Sequence, residues 1–178
     1  MTAARKLVHR QGVARATLAE IAHAADVPVG NVYYYFKTKD EIISAVVDAH
    51  ADQLRAVFAE LERHHRAPAD RLTAFVGLQA DWAGSSPPQY GCPYGTLSTE
   101  LAKQTDTPDP LAAALMQLQL DWVEQQFRAM GRPDPRDLAV QLLASWQGGA
   151  VLTSALGQSE LMADQARRIQ EWIADLNA

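Results

Sequence analysis

The stretch from Leu18 to Phe36 constrains the fold more than any other part of this 178-residue chain. Leu18, Ile21, Ala22 and Ala25 fall at i, i+3, i+4 and i+7, which is one apolar face of a short helix. The period breaks at Asp26-Val-Pro-Val-Gly30 and resumes at Val32, Tyr33 and Phe36. Pro28 suits the start of a second helix, where a missing N–H costs nothing. This is a helix, a three- or four-residue turn and a helix, an arrangement whose second helix can enter a DNA major groove. With Val32, Tyr33 and Phe36 turned inward, the outward set is Pro28, Val29, Asn31, Tyr34 and Tyr35. Asn31 suits bidentate recognition of adenine, and Val29 suits a thymine methyl. Tyr34, Tyr35 and Lys39 are placed for backbone phosphates, which fix register without carrying sequence information. The N-terminal turn at Thr38 offers free N–H groups for a further phosphate contact. Four consecutive helical residues cannot all face one core, so Tyr33 to Phe36 are not simply a buried aromatic corner.

The rest of the chain is also helical in pattern. Ala, Leu, Gln and Glu fill long segments, and alternating β-branched runs are absent. The spacing predicts about nine helices, at 2–11, 18–25, 29–35, 39–66, 69–84, 94–105, 109–130, 135–156 and 160–176. Thr17-Leu-Ala-Glu20 and Thr38-Lys-Asp-Glu41 fit capping boxes ahead of the second and fourth. A loop of about ten residues, rich in Gly, Ser and Pro, is expected from Ala83 to Pro93. The expected fold is all-α, with a three-helix head over residues 1–46 and a helical body over 47–178.

Net charge is -5, which at first argues against a nucleic-acid partner. Its distribution argues the other way. Residues 1–39 hold six basic and two acidic side chains, or +4, while residues 40–178 hold ten and nineteen, or -9. A single Cys excludes an intramolecular disulfide and any clustered-thiolate metal site. The five His residues lack metal-ligand spacing, no glycine-rich phosphate loop appears, and Ser98 is not in a nucleophile elbow. An enzyme is therefore not expected, and neither is a cofactor or metal. No stretch reads as a signal peptide. The uncharged run Leu138–Ser159 is too rich in Gln and Gly for a membrane helix, so a cytoplasmic protein with no membrane partner is expected.

Thr17-Leu-Ala-Glu-Ile-Ala22, Val29-Gly-Asn-Val-Tyr-Tyr-Tyr-Phe36 and Lys37-Thr-Lys-Asp-Glu-Ile42 together resemble the DNA-binding domain of the TetR family of bacterial transcriptional regulators. Gly12 matches the glycine that closes the family's first helix. The resemblance covers about a quarter of the chain and implies that residues 29–35 form the core of the recognition helix. It implies phosphate contacts from Tyr34 and Lys39, and from Thr17 at the second helix's cap. This chain departs from the pattern at Asp26, where glycine is common and a positive φ is expected. It departs also at Val29, where a polar or basic residue is frequent. It begins late as well, so either the first helix is short or the start lies upstream.

In the body, Phe75, Gln79, Trp82, Tyr94, Met116, Gln119, Trp122 and Trp146 combine apolar walls with a few polar groups, the usual make-up of a small-molecule pocket. Gly91-Cys-Pro-Tyr-Gly95 resembles the opening of the central ligand-domain helix in some family members, without specifying an effector. Cys92 reads either as a small hydrophobe or as a thiol that senses oxidants or electrophiles. Leu138, Leu142, Gly149, Leu152 and Leu156 run down one broad face, and Ile169, Trp172 and Ile173 down another, which suggests association as a homodimer. The expectation is a ligand-responsive repressor that binds a palindromic operator as a homodimer and is released by a small molecule. The alternatives are an activator, or a redox-responsive regulator of the same fold acting through Cys92.

Overall fold

The computed structural model describes residues 1–84, 87–104, 106 and 109–177. All regular structure among them is helical. The elements are α1 (Thr2–Gln11), α2 (Leu18–Ala24), α3 (Val29–Tyr35), α4 (Lys39–His64), α5 (Pro68–Gly84), α6 (Pro93–Ala102), α7 (Pro110–Ala129), α8 (Pro135–Leu156) and α9 (Glu160–Asn177). One 3-10 turn, Pro88–Tyr90, interrupts the expected loop. Ser85 and Ser86 of that loop, and Thr105 at the expected end of the sixth helix, lie outside the described residues. α5, α6, α7 and α8 each open on a proline, whose fixed φ and absent N–H fit the first helical position. Asp109 adds a side-chain cap, accepting from the Leu111 N–H at 2.9 Å. Gly157 closes α8 in the left-handed region at φ 68°.

The chain divides into two compact units. The first comprises Met1–Gln53 with Pro93–Met116. It holds α1 to α3, the first part of α4, α6 and the start of α7. Val8, Val13, Leu18, Ile21 and Ala22 are buried in it, as are Ile42, Ile43, Val46 and Val47 from α4 and Tyr94, Leu97 and Leu101 from α6. The boundary expected after residue 46 falls inside α4, a helix without an internal break.

The second unit comprises Leu54–Cys92 with Gln117–Ala178. Here α9 packs along α5 and α8. Phe58 stacks on Trp122 with ring centroids 4.5 Å apart, and Phe75 meets both rings at an angle. The Trp122 indole N–H donates to Glu62 Oε1 at 2.8 Å, so the ring is fixed at its polar end too. A Cβ on Gly149 would lie 3.0 Å from Gln165 Cγ and 3.4 Å from Met162 Sδ, so α8 and α9 approach closely at this point.

That packing corrects the expected association face. Leu138, Leu142, Gly149, Ile169 and Ile173 are buried within the chain itself, and Trp172 is half-buried with its ring edge-on to Phe127. Large apolar residues on an amphipathic helix go first to the chain's own core. Of the expected set only Leu152 and Leu156 are exposed. They continue a different stripe of α8, formed by Val140, Ala144, Gly148, Val151 and Ala155, all exposed and all apolar or small.

Candidate nucleic-acid interface

The turn between α2 and α3 is built from its backbone outward. The Ala25 N–H donates to the Ile21 carbonyl, and the Val27 N–H reaches back to Ala22 at 3.1 Å. Closing the helix this way needs a left-handed residue, and Asp26 supplies it at φ 54°. Asp and Asn tolerate this region better than most residues, so no glycine is required here. Pro28 then serves as N-cap of α3, one residue earlier than the first helical position, and its carbonyl accepts from the Asn31 N–H at 2.9 Å.

α3 buries one residue. Val32 is its sole buried side chain, and Val29, Gly30, Asn31, Tyr33, Tyr34 and Tyr35 are all exposed. Tyr33 therefore departs from the inward orientation expected of it. Tyr33 is 48% exposed, because one valine suffices to seat a seven-residue helix whose entry is fixed by the turn. Phe36 follows the helix in extended backbone and is half-buried. Tyr34 and Tyr35, 73% and 74% exposed, meet edge to face at 5.1 Å.

The flanking residues hold this helix in place. Lys37 Nζ donates to the Tyr33 and Tyr34 carbonyls at 2.9 Å each and lies 5.5 Å from the Tyr34 ring centroid. A cation there satisfies the last carbonyls of α3 and complements its dipole. Composition hid this role, since Lys37 reads as one more basic residue. Thr17 caps α2 as expected: its hydroxyl accepts from the Glu20 N–H at 3.2 Å while Glu20 Oε2 accepts from the Thr17 N–H at 3.0 Å. The Thr17 hydroxyl also donates to Glu20, the main reason the Glu20 carboxyl is held below its ordinary range. At α4, Thr38 accepts from the Glu41 N–H, but Glu41 Oε2 accepts from the Lys37 N–H at 2.6 Å, one residue before the position a capping box requires. Lys39 Nζ donates to the Ala14 carbonyl at 2.9 Å, tying the start of α4 to the turn before α2.

The expected effector residues divide between the units. Tyr94 is buried in the first, edge-on to His50 at 5.3 Å, and Met116 is half-buried in the same unit. Phe75, Gln79, Gln119 and Trp122 come together in the second, with Gln79 Nε2 3.5 Å from Gln119 Oε1 and both amides buried. Trp146 is buried on α8, and Trp82 is half-buried near the end of α5. Phe75 and Trp122 are packed into the aromatic trio, so of this group only the Gln79–Gln119 pair presents buried polarity. Cys92 is half-buried, and its Sγ accepts from Gln147 Nε2 at 3.5 Å. Among the described residues no group of His, Cys, Asp and Glu is arranged to hold a metal ion, and no helix is long and apolar enough to cross a membrane.

Residues 1–46 match the family model described as bacterial regulatory proteins, tetR family. An uncharacterized HTH-type transcriptional regulator from Lactococcus lactis is 29% identical over 161 residues, covering 85% of this chain and 80% of that protein. The HTH-type transcriptional repressor DhaR of a Mycobacterium species is 27% identical over 87% of this chain and 80% of its own length. A TetR transcriptional regulator from Legionella pneumophila superimposes with a TM-score of 0.84 at 18% identity, over 96% of this chain and 93% of that one. Residues 1–46 thus carry the helix-turn-helix sequence of the tetR family of bacterial regulatory proteins, and the described residues share the all-α fold of the solved TetR regulator.

Proposed function

We propose that the chain is a ligand-responsive repressor that binds a palindromic operator as a homodimer and leaves it when a small molecule binds the body. The observation that carries the DNA-binding part is α3 itself, a helix that buries Val32 and leaves its other six residues to solvent. A helix so exposed is held by its turn and caps, and its surface is free for a partner. Asn31 and Val29 read base edges in this proposal, while Tyr34, Tyr35, Lys39 and the Thr17 cap contact phosphates, with Pro28 setting the entry of α3. The exposed stripe of α8 supports a two-fold pairing, because Ala144, Gly148 and Ala155 allow a second copy of the same helix to come close. Repression is favoured by the similarity to DhaR, a transcriptional repressor.

The effector site is proposed around Gln79 and Gln119, whose buried amides would orient a largely apolar ligand beside Trp82 and Trp146. Tyr94 and Met116 belong to the first unit and are not part of this proposed site. The Gln147 contact favours a packing role for Cys92 over a sensing one. Selection of binding duplexes from a random pool tests the reading, and recovery of an inverted repeat is the expected result. Recovery of no preferred duplex overturns it. A Cys92→Ser variant still released from DNA by the natural signal removes the redox alternative.

A further inference from the structure

α6 carries one charged residue, Glu100. Its carboxylate reaches the turn between α1 and α2, where Oε2 accepts from the Val13 N–H at 2.5 Å. The approach is possible because residue 12 is glycine. Gly12 sits at φ 82°, and a Cβ there would lie 2.8 and 2.9 Å from the two Glu100 carboxylate oxygens. The next residue of the turn is also held by a side chain, since the Ala14 carbonyl accepts from Lys39 Nζ. The Arg15 carbonyl accepts from Gln11 Nε2 at 3.2 Å, and the same Gln11 amide reaches Glu20 Oε2. Three consecutive residues, 13 to 15, are therefore fixed by side chains from three helices. They lead directly into Ala16, which is buried, and into the Thr17 cap of α2.

We infer that Glu100 is a positioning residue for DNA binding: its carboxylate holds the α1–α2 turn, and so the α2–α3 pair, in the geometry that meets the duplex. The inference rests on the proposed DNA-binding role of α3. Three side chains serve that turn, from Glu100, Lys39 and Gln11, and Glu100 alone among them lies outside the 46-residue family match. A carboxylate accepting from a backbone N–H forms a charge-assisted bond, stronger than the neutral Gln11 amide contact to Arg15 beside it. Glutamine at this position keeps an acceptor oxygen at the same reach, whereas alanine leaves the Val13 N–H without a partner.

The test compares full-length wild type with Glu100→Gln, Glu100→Ala and Gly12→Ala, on a duplex recovered by wild type from a random pool. Wild type recovering no preferred duplex would defeat the DNA-binding reading, and with it the premise. If wild type binds, Glu100→Ala should weaken affinity about tenfold with an unchanged salt slope, since no phosphate contact is removed. Glu100→Gln should stay within about threefold of wild type. Amide exchange at Val13 should quicken in Glu100→Ala and remain slow in Glu100→Gln. Gly12→Ala combined with Glu100→Ala should cost less than the sum of the singles, because both remove the same contact. Wild-type affinity in Glu100→Ala, or equal losses in the Gln and Ala variants, would overturn the assignment.

Discussion

Tyr34 and Tyr35 expose two aromatic rings side by side with only each other and Lys37 for company. Single exposed apolar side chains are ordinary, but adjacent rings on a helix with one buried residue form a surface suited to contact. Asn31 lies on that same exposed helix, one turn before Tyr34 and Tyr35, and is its one side chain with both an amide donor and an acceptor. Asn31→Ala should relax sequence preference at one operator position by about 1–3 kcal/mol, measured by competition between matched and singly substituted duplexes. Lys39→Ala should instead weaken binding to every duplex, because the proposal gives Lys39 a phosphate rather than a base contact and Lys39 also braces Ala14. The outward character of Asn31 and Tyr34 was legible from the helical period alone. Tyr33 was not, because periodicity assigns a face to each residue without saying how many anchors a short helix needs. His50 was not singled out either, although its environment is unusual. It is buried, its Nδ1 has no hydrogen-bond partner, and its pKa is lowered from 6.5 to about 4, first by desolvation and then by Arg5 and His9. Its folded pKa lies below the unfolded one, so between those values the unfolded chain binds more protons and stability rises with pH. Wild type should thus lose up to about 3 kcal/mol relative to His50→Gln as pH falls from 6.5 to 4, with the difference flat above 6.5. Urea unfolding of both proteins across that range checks it.

At the scale of elements, helix ends were the most legible feature, for identifiable reasons. Pro135 and Gly157 bracket α8 with the residues that open and close helices at least cost, and the expected range of 135–156 is the observed one. Which face of α8 meets which neighbour was much harder to read. Leu138, Leu142 and Gly149 look like an association face because they are the most conspicuous on the helix. They serve the chain's own packing for the same reason, and Gly149 marks a close approach of α9. Glu100 was equally hidden, since its partner in the turn lies 87 residues away. The tight contact at Gly149 yields its own prediction. Gly149→Ala should be mildly destabilising, since its Cβ would lie 3.0 Å and 3.3 Å from Cγ and Cβ of Gln165, the part of that side chain nearest its backbone. Gly149→Leu must displace α9 and should cost about 1–3 kcal/mol, read as a lowered denaturant midpoint with unchanged slope.

For the whole molecule, charge distribution and symmetry act together. The +4 of residues 1–39 and the -9 of residues 40–178 are both doubled when two copies pair, so the separation of sign along each chain is preserved. A dimer presents two basic heads to two half-sites, and the second contact becomes intramolecular once the first has formed. In the proposed dimer the exposed α8 stripe is where the two copies pair. In a two-fold arrangement a residue near the axis faces its own copy, so one substitution places like charges opposite each other. Leu152 is 56% exposed and makes no core contact that its removal would empty. Leu152→Glu should therefore leave thermal unfolding of the chain close to wild type while shifting sedimentation velocity from dimer to monomer at micromolar concentration. DNA affinity should fall by about 10²–10⁴, the gain that joining two sites supplies. The slope of log affinity against log salt should be roughly halved, because one head then releases half the counterions. A variant that remained dimeric would move the interface away from α8. A monomeric variant that kept both full affinity and the full salt slope would show that one head suffices for recognition.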